Sequence, residues 1–246
     1  MRRPFEDAGT VEFWAQGAQT DDWVRSHWGN AGANAHFLKQ TGLLNEPKRV
    51  LEIGCGKGNL LRDLHARGHQ VVGLDLSEKA LRVCDPDVPR VAGRGDALPF
   101  KTGAFDIVVS FDVFEHIPNS DVHLQEVARV LTRSGHYLLQ TPNKWTNVPF
   151  EMLRWSRRFG LKHMFDFLKP PEHCALHSYW QLRRRLRKNG FVEHFDHVPV
   201  VNDFFKAKLS AFAGRFGLMA IKIINPDELP MSLRTNFYVR AQRTQI

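Results

Sequence analysis

Cysteine is scarce in this chain, with only Cys55, Cys84 and Cys174 among 246 residues. Three scattered thiols build neither a disulfide framework nor the paired spacing of a zinc site, which excludes a stapled secreted scaffold and fits a reducing compartment. Long apolar runs are also missing. None approaches the roughly 20 residues that span a bilayer, and the opening Met1-Arg-Arg-Pro-Phe-Glu-Asp7 lacks the apolar core of a secretion signal. A cytoplasmic protein is expected. No internal repeat or low-complexity tract is present, and a 43% hydrophobic share suffices for one well-packed unit.

Acidic residues run short in one part only. Residues 1–148 carry 17 Lys plus Arg against 18 Asp plus Glu, whereas residues 149–246 carry 17 against 8. A basic second part beside a balanced first part suits an anionic partner such as an acidic substrate, nucleic acid or lipid headgroups, and equally a solvated basic surface.

From Lys48 onward, short apolar runs alternate with amphipathic stretches, as repeated βα units require. The expected strands are Val50 to Ile53, Val71 to Leu76, Pro89 to Ala92, Phe105 to Ser110, His136 to Gln140, Phe191 to Phe195 and Asn236 to Ala241. Helices are expected at Asn59 to Ala66, at Glu78 to Cys84 behind an Ser77 cap, along a stripe of Val122, Leu124, Val127, Ala128 and Leu131, and at Gln181 to Lys188. Two further stretches read as basic amphipathic helices. One is Pro149 to Leu168, with Trp155 and Phe159 among arginines. The other carries Phe205, Leu209, Phe212, Phe216 and Met219 at helical spacing, with Gly214 and Gly217 weakening it.

Val50-Leu-Glu-Ile-Gly-Cys-Gly-Lys-Gly58 runs an apolar strand into a glycine-dense turn and then a helix. Such a turn lets the backbone take positive φ and lets a bulky ligand approach closely. Phosphate-binding turns use glycines in the same way, but a dinucleotide fingerprint would place its third glycine where Asn59 stands. Glu52, a carboxylate in a strand that would ordinarily be apolar, suits a cofactor with a cationic amino group better than a pyrophosphate. Asp75 closes the next strand, 21 residues after Gly54, where a carboxylate can accept both hydroxyls of a ribose.

With these residues the chain resembles the class I S-adenosylmethionine-dependent methyltransferases over about residues 48–195, in particular the branch of the ubiquinone-pathway O-methyltransferases. Leu51 to Gly58 resembles that family's first motif, Asp75 its ribose acid, and Gly95-Asp-Ala-Leu-Pro-Phe100 the loop whose Asp96 and Ala97 contact adenine. Phe111-Asp-Val-Phe-Glu-His-Ile117 resembles the segment lining the methionine end of the cofactor and the acceptor site. The resemblance implies a Rossmann-like, doubly wound, mostly parallel seven-stranded sheet with an antiparallel last strand. The expected division is an N-terminal helical cap at 1–47 and a methyltransferase domain at 48–246, with the two aromatic, basic stretches placed to cover the acceptor pocket as insertions at 149–176 and 198–233. The implied cofactor contacts are Glu52, Gly54, Cys55, Gly56, Gly58, Asp75, Leu76, Asp96, Ala97 and Phe111.

His116 is the candidate base, with Glu115 beside it, because an imidazole of pKa about 6.5 suits proton removal from a hydroxyl at neutral pH. Asp112, Glu115 and His116 resemble the acid-x-x-Glu-His set that can hold a divalent metal such as Mg2+ in those relatives, but Asp112 replaces the Glu of that pattern with a reach shorter by a methylene, and capping of the next helix is the favoured reading of Glu115 and His116. Neither the Pro-Pro-aromatic segment of amine methyltransferases nor a cysteine nucleophile follows the fourth strand, so O-methylation of a small hydroxylated acceptor is favoured over N- or C-methylation. Peripheral contact with an anionic membrane is a second expectation from the two basic stretches. Nucleic-acid binding and a nicotinamide-dependent oxidoreductase are the weaker alternatives.

Overall fold

The computed structural model describes residues 30–82, 84, 86–165, 173–201 and 203–244. Its strands are β1 (Arg49–Ile53), β2 (Gln70–Asp75), β3 (Arg90–Ala92), β4 (Phe105–Phe111), β5 (Leu131–Pro142), β6 (Phe191–Asp196) and β7 (Asn236–Arg243). They form one sheet in the order β3-β2-β1-β4-β5-β7-β6. The first five are parallel, while β7 runs antiparallel between β5 and β6. The helices are α1 (Ala31–Thr41), α2 (Asn59–Ala66), α3 (Glu78–Arg82), α4 (Ser120–Val130), α5 (Lys144–Phe159), α6 (Tyr179–Lys188) and α7 (Asp203–Ile223).

The sheet is covered on both faces because alternate strand residues feed two separate apolar clusters. Leu51, Ile53, Val108 and Leu139 pack with Leu124 and Val127 of α4 and Leu182 and Leu186 of α6. Val50, Val71, Val109 and Leu138 pack on the other face with Phe37 of α1, Leu61 and Leu64 of α2 and Leu81 of α3. From β1 the chain winds outward to β2 and β3, then returns to β4 on the opposite side. The carboxyl ends of β1 and β4 therefore border the crevice at which sheets of this kind bind ligands.

Each expected strand is present, and β5 is longer than its central apolar run indicated. The stripe expected on α4 is shifted. Ser120, His123, Leu124, Val127 and Val130 are its buried residues, Val122 is exposed, and Leu131 opens β5. The true buried face admits a serine and a histidine, which a purely apolar template passes over. Helix α5 begins at Lys144, before Pro149, because the Asn143 side chain caps it by accepting from Trp145 N–H, and it ends at Gly160, before Leu168. Helix α7 breaks at Gly214, whose φ of 56° and ψ of −143° leave the helical region, whereas Gly217 is accommodated and buried. Residues 1–29 of the expected cap, residues 166–172 including Leu168, and the side chains of Trp155, Phe159 and Phe212 lie outside the described residues. Among the described residues no helix is long and apolar enough to cross a membrane.

Candidate active site

The glycine-dense turn follows β1 and ends as the left-handed N-cap Gly58 of α2. Gly54, Gly56 and Gly58 all take positive φ, at 75°, 51° and 73°. At Gly54 a side chain is excluded twice over, since a Cβ would also run into Cγ2 of Val113. The turn is tied to the end of β2. Gly54 N–H and Cys55 N–H donate to the Leu74 carbonyl, and Asp75 accepts from Gly56 N–H on one oxygen and from Ser77 N–H on the other, each at 2.8 Å. Burial raises the Asp75 pKa against the pull of these donors. One carboxylate thus braces two loops and lies where both meet the crevice, beside Leu76.

Glu52 is buried among Asp75, Cys84 and the first turn of α2, and its Oε2 has no hydrogen-bond partner. Burial first, then the charge of Asp75, raises its pKa well above the carboxylate range. An orphaned buried acid beside a tight glycine turn is what an ammonium group would complete. The Cys55 thiol lies against Cys84, and that hydrogen bond together with burial pushes its pKa up, so it contributes packing rather than a nucleophile. Nothing in this cradle conflicts with an adenosyl sulfonium amino acid.

Past β3, Asp96 is gripped by Arg94 in a two-pronged pair at 2.9 and 2.8 Å, which holds its carboxyl below the usual range. Ala97 N–H closes a turn on the Arg94 carbonyl at 3.2 Å. The loop is thereby shaped before any ligand arrives.

Beyond β4, Phe111 stacks edge-on against Phe37 of α1 at 6.2 Å. Asp112 has a φ of 54°, unusual for a residue with a side chain. Its N–H donates to Gln140 Oε1 at 2.8 Å, and its carboxylate accepts from the Asn30 amide at 3.0 and 3.3 Å. A short 3-10 turn, Phe114–His116, then presents Glu115 and His116. Glu115 is buried and accepts from the Thr141 hydroxyl at 2.9 Å. Burial, helped by the charge of Asp112, pushes its pKa up to about 8. The His116 ring lies 5.1 Å from that of His173.

The metal set expected from sequence is altered here. Glu115, His116 and His173 bring ligand atoms within 4.8 Å of one another. Asp112, held by Asn30, is not in that group. His173 comes from the far side of β5 and α5, and no spacing pattern in the sequence singles it out among 12 histidines. Two imidazoles and one carboxylate suit a first-row transition ion better than magnesium, which prefers oxygen ligands.

The arginine-rich helix α6 is largely engaged in ion pairs. Arg183 and Arg187 grip Glu193, while Arg185 and Lys188 grip Asp121. A separate cavity of about 450 Å³, lined by residues such as His65, His69 and Phe105, opens at the amino ends of the strands and holds none of the expected site residues.

Comparison with known proteins places these features in context. Residues 27–213 match the family model described as a methyltransferase domain. A ubiquinone biosynthesis O-methyltransferase of Xanthomonas oryzae pv. oryzae is 30% identical over 180 residues, covering 61% of this chain and 75% of the relative. A phthiotriol/phenolphthiotriol dimycocerosates methyltransferase of Mycobacterium ulcerans is 36% identical over 118 residues, covering 44% and 41%. Among solved structures, the methyltransferase bound to the Trm112 activator from Haloferax volcanii superposes with a TM-score of 0.67 at 18% identity, covering 97% of each chain. A Haemonchus contortus phosphoethanolamine N-methyltransferase, solved with S-adenosylhomocysteine, gives 0.63 at 19% identity, covering 96% of this chain and 60% of its own.

Proposed function

The chain belongs to the class I S-adenosylmethionine-dependent methyltransferases, and from that premise we propose that it methylates a hydroxyl oxygen of a small, partly hydrophobic acceptor. The observation that carries the reading is the placing of Glu115 and the neighbouring His116 just past β4, in the segment that also packs Val113 against the cofactor-type turn at Gly54. A relative named as an O-methyltransferase supports the choice of oxygen.

S-adenosylmethionine supplies an electrophilic methyl on its sulfonium, so the protein's work is positioning, water exclusion and proton removal. Asp75 accepts the ribose hydroxyls, Asp96 and the backbone at Ala97 meet adenine, and Glu52 answers the amino group. Gly54, Cys55, Gly56 and Gly58 supply the close backbone, Leu76 borders the ribose, and Phe111 faces the methionine end. His116 takes the acceptor's proton as the oxygen is methylated, and the neighbouring Glu115 orients the acceptor. Glu115, His116 and His173 are also the residues that would hold a divalent ion; were one bound, the ion would lower the pKa of an acceptor hydroxyl in place of His116 acting as base.

Helix α1 serves as a cap, and the described parts of 149–176 and 198–233 serve as covers of the acceptor pocket. Phe216, Met219 and Ile223, exposed on α7 beside Arg215 and Lys222, support contact with an anionic membrane as the place where a lipid-like acceptor is met. The test is methyl transfer from labelled S-adenosylmethionine to a panel of phenolic, aliphatic-hydroxyl and amine acceptors, with products identified by mass spectrometry. O-methyl products are expected, and products methylated only on nitrogen or carbon would refute the proposal.

A further inference from the structure

One face of α4 holds the loop that follows β3 by its backbone. His123, Glu126 and Arg129, spaced three apart and so on one side of the helix, meet consecutive polar groups of residues 95–100. His123 Nδ1 lies 2.7 Å from the Gly95 carbonyl. Leu98 N–H donates to Glu126 at 2.8 Å, and Arg129 donates to the carbonyls of Leu98 at 2.9 Å and Phe100 at 2.7 Å. Glu126 and Arg129 also grip one another at 2.7 Å.

His123 differs from the other two because it is fully buried and continues inward. The protonation pattern follows from what its neighbours can do. A carbonyl only accepts, so Nδ1 carries the hydrogen and donates to Gly95. Nε2 is then bare and accepts from the Tyr137 hydroxyl, 2.9 Å away. That hydroxyl, having spent its hydrogen, accepts from Ser110 Oγ at 2.5 Å. The result is a chain of fixed direction from Ser110 through Tyr137 and His123 to Gly95, joining β4 just before the acceptor-facing segment to the residue just before Asp96. Burial lowers the imidazole pKa to about 4, in keeping with a neutral ring. There is no slack at the outer end, since a Cβ on Gly95 would press on Ile117 Cδ1 at 2.7 Å and on His123 Nδ1 at 3.3 Å.

We propose that His123 is a positioning residue for adenine recognition, setting the place of the Gly95–Ala97 backbone and hence of the Asp96 carboxylate that meets the base. This rests on the assignment of Asp96 to the adenine amine under the proposed function. His123 touches neither the cofactor nor the acceptor. It acts through the Gly95 carbonyl.

The experiment is a calorimetric comparison of S-adenosylhomocysteine with S-inosylhomocysteine, which replaces the 6-amine by an oxygen. Wild-type protein is expected to prefer the adenosyl ligand by roughly 10-fold or more, the worth of a hydrogen bond to a charged acceptor. His123→Phe fills the ring's space but donates nothing to Gly95, and the preference should fall to within about threefold of unity. His123→Asn places an amide N–H where Nδ1 stood and should keep most of the preference, while His123→Gln, with its amide near the Nε2 position, should lose it. The ratio is the readout because a merely structural loss weakens both ligands alike. If His123→Phe does not fold, the Asn and Gln pair carries the comparison. A wild-type ratio in His123→Phe, or equal ratios in the Asn and Gln variants, overturns the proposal. Wild-type protein that binds both ligands equally overturns the Asp96 assignment and this role with it. A preference that exists but ignores position 123 overturns only the role of His123.

Discussion

Asp75→Asn separates cofactor binding from folding better than any larger change at that site. The native carboxylate accepts from Gly56 N–H and Ser77 N–H, one on each oxygen, and under the proposed assignment its remaining lone pairs accept from the ribose. In the variant one oxygen becomes an NH2 group of nearly the same size. The local contact to Ser77, two residues along the chain, keeps the amide oxygen, so the NH2 meets Gly56 N–H donor against donor. The cofactor turn then loses its brace, and the ribose loses a charged acceptor. A hydrogen bond to a charged group contributes about 1.5–3 kcal/mol, so affinity for S-adenosylhomocysteine should fall by roughly 10- to 150-fold. Folding stability should fall by about 1–3 kcal/mol for the unpaired Gly56 N–H, less what the neutral amide regains by escaping the burial penalty on the charged form of Asp75. Titration calorimetry and thermal melting on the same samples measure the two effects. Affinity within twofold of wild type would refute the ribose assignment, and a collapse in melting temperature would refute the reasoning on burial.

Gly54→Ala should cost more than Asp75→Asn in both measurements, because it forces a side chain into the left-handed region and into Val113; a folded variant with wild-type affinity would contradict that. His116→Ala should cut turnover with an identified acceptor by roughly 100-fold or more while leaving S-adenosylhomocysteine affinity nearly unchanged, and full turnover across pH 6 to 9 would end the base assignment. Burial holds the pKa values of His123 and His177 at about 4. Between about pH 6.5 and 4 the unfolded chain binds more protons at these two sites, which removes stability with acid, while the raised Glu52 and Glu115 bind more in the folded chain and oppose it; the urea midpoint should therefore fall more with acid in wild type than in His123→Phe. Sedimentation with anionic vesicles at low salt should recover the protein and neutral vesicles should not, with Phe216→Ser and Ile223→Ser weakening recovery; no binding to either vesicle would leave α7 as a cover alone.

The sheet was legible because its central strands are buried on both faces and so appear as apolar runs. The cofactor turn was legible because close backbone approach demands glycine at particular places. What escaped was set by tertiary contact. The α4 stripe misled because a buried helix face can hold Ser120 and His123 once Ser120 finds the Ile117 carbonyl and His123 finds Gly95 and Tyr137. The start of α5 was hidden because Asn143 is read as a cap only when its amide is also seen to donate to the carbonyls of Ser232 and Arg234, pinning the last crossover against the end of β5. His173 escaped for the same reason, since its partners Glu115 and His116 stand on another element.

The excess positive charge of residues 149–246 invites a nucleic-acid reading that the geometry weakens. A polyanion-binding helix needs its cations available to successive phosphates, yet four basic side chains of α6 are committed to Glu193 and Asp121. Buried Glu193 is shared by two arginines, so those contacts fasten α6 to the edge strand β6 rather than offer it to a ligand. On α7, by contrast, Arg215 and Lys222 are exposed beside Phe216, Met219 and Ile223, which are 84%, 59% and 81% exposed. Mixed aliphatic, aromatic and basic exposure fits an interface between water and hydrocarbon better than it fits a phosphate backbone. Each cation near an anionic surface contributes only about 1 kcal/mol, so two of them would hold a protein weakly and the apolar residues would have to supply the rest. Attachment of that strength would be reversible and salt-sensitive, so recovery with anionic vesicles should fall as salt is raised.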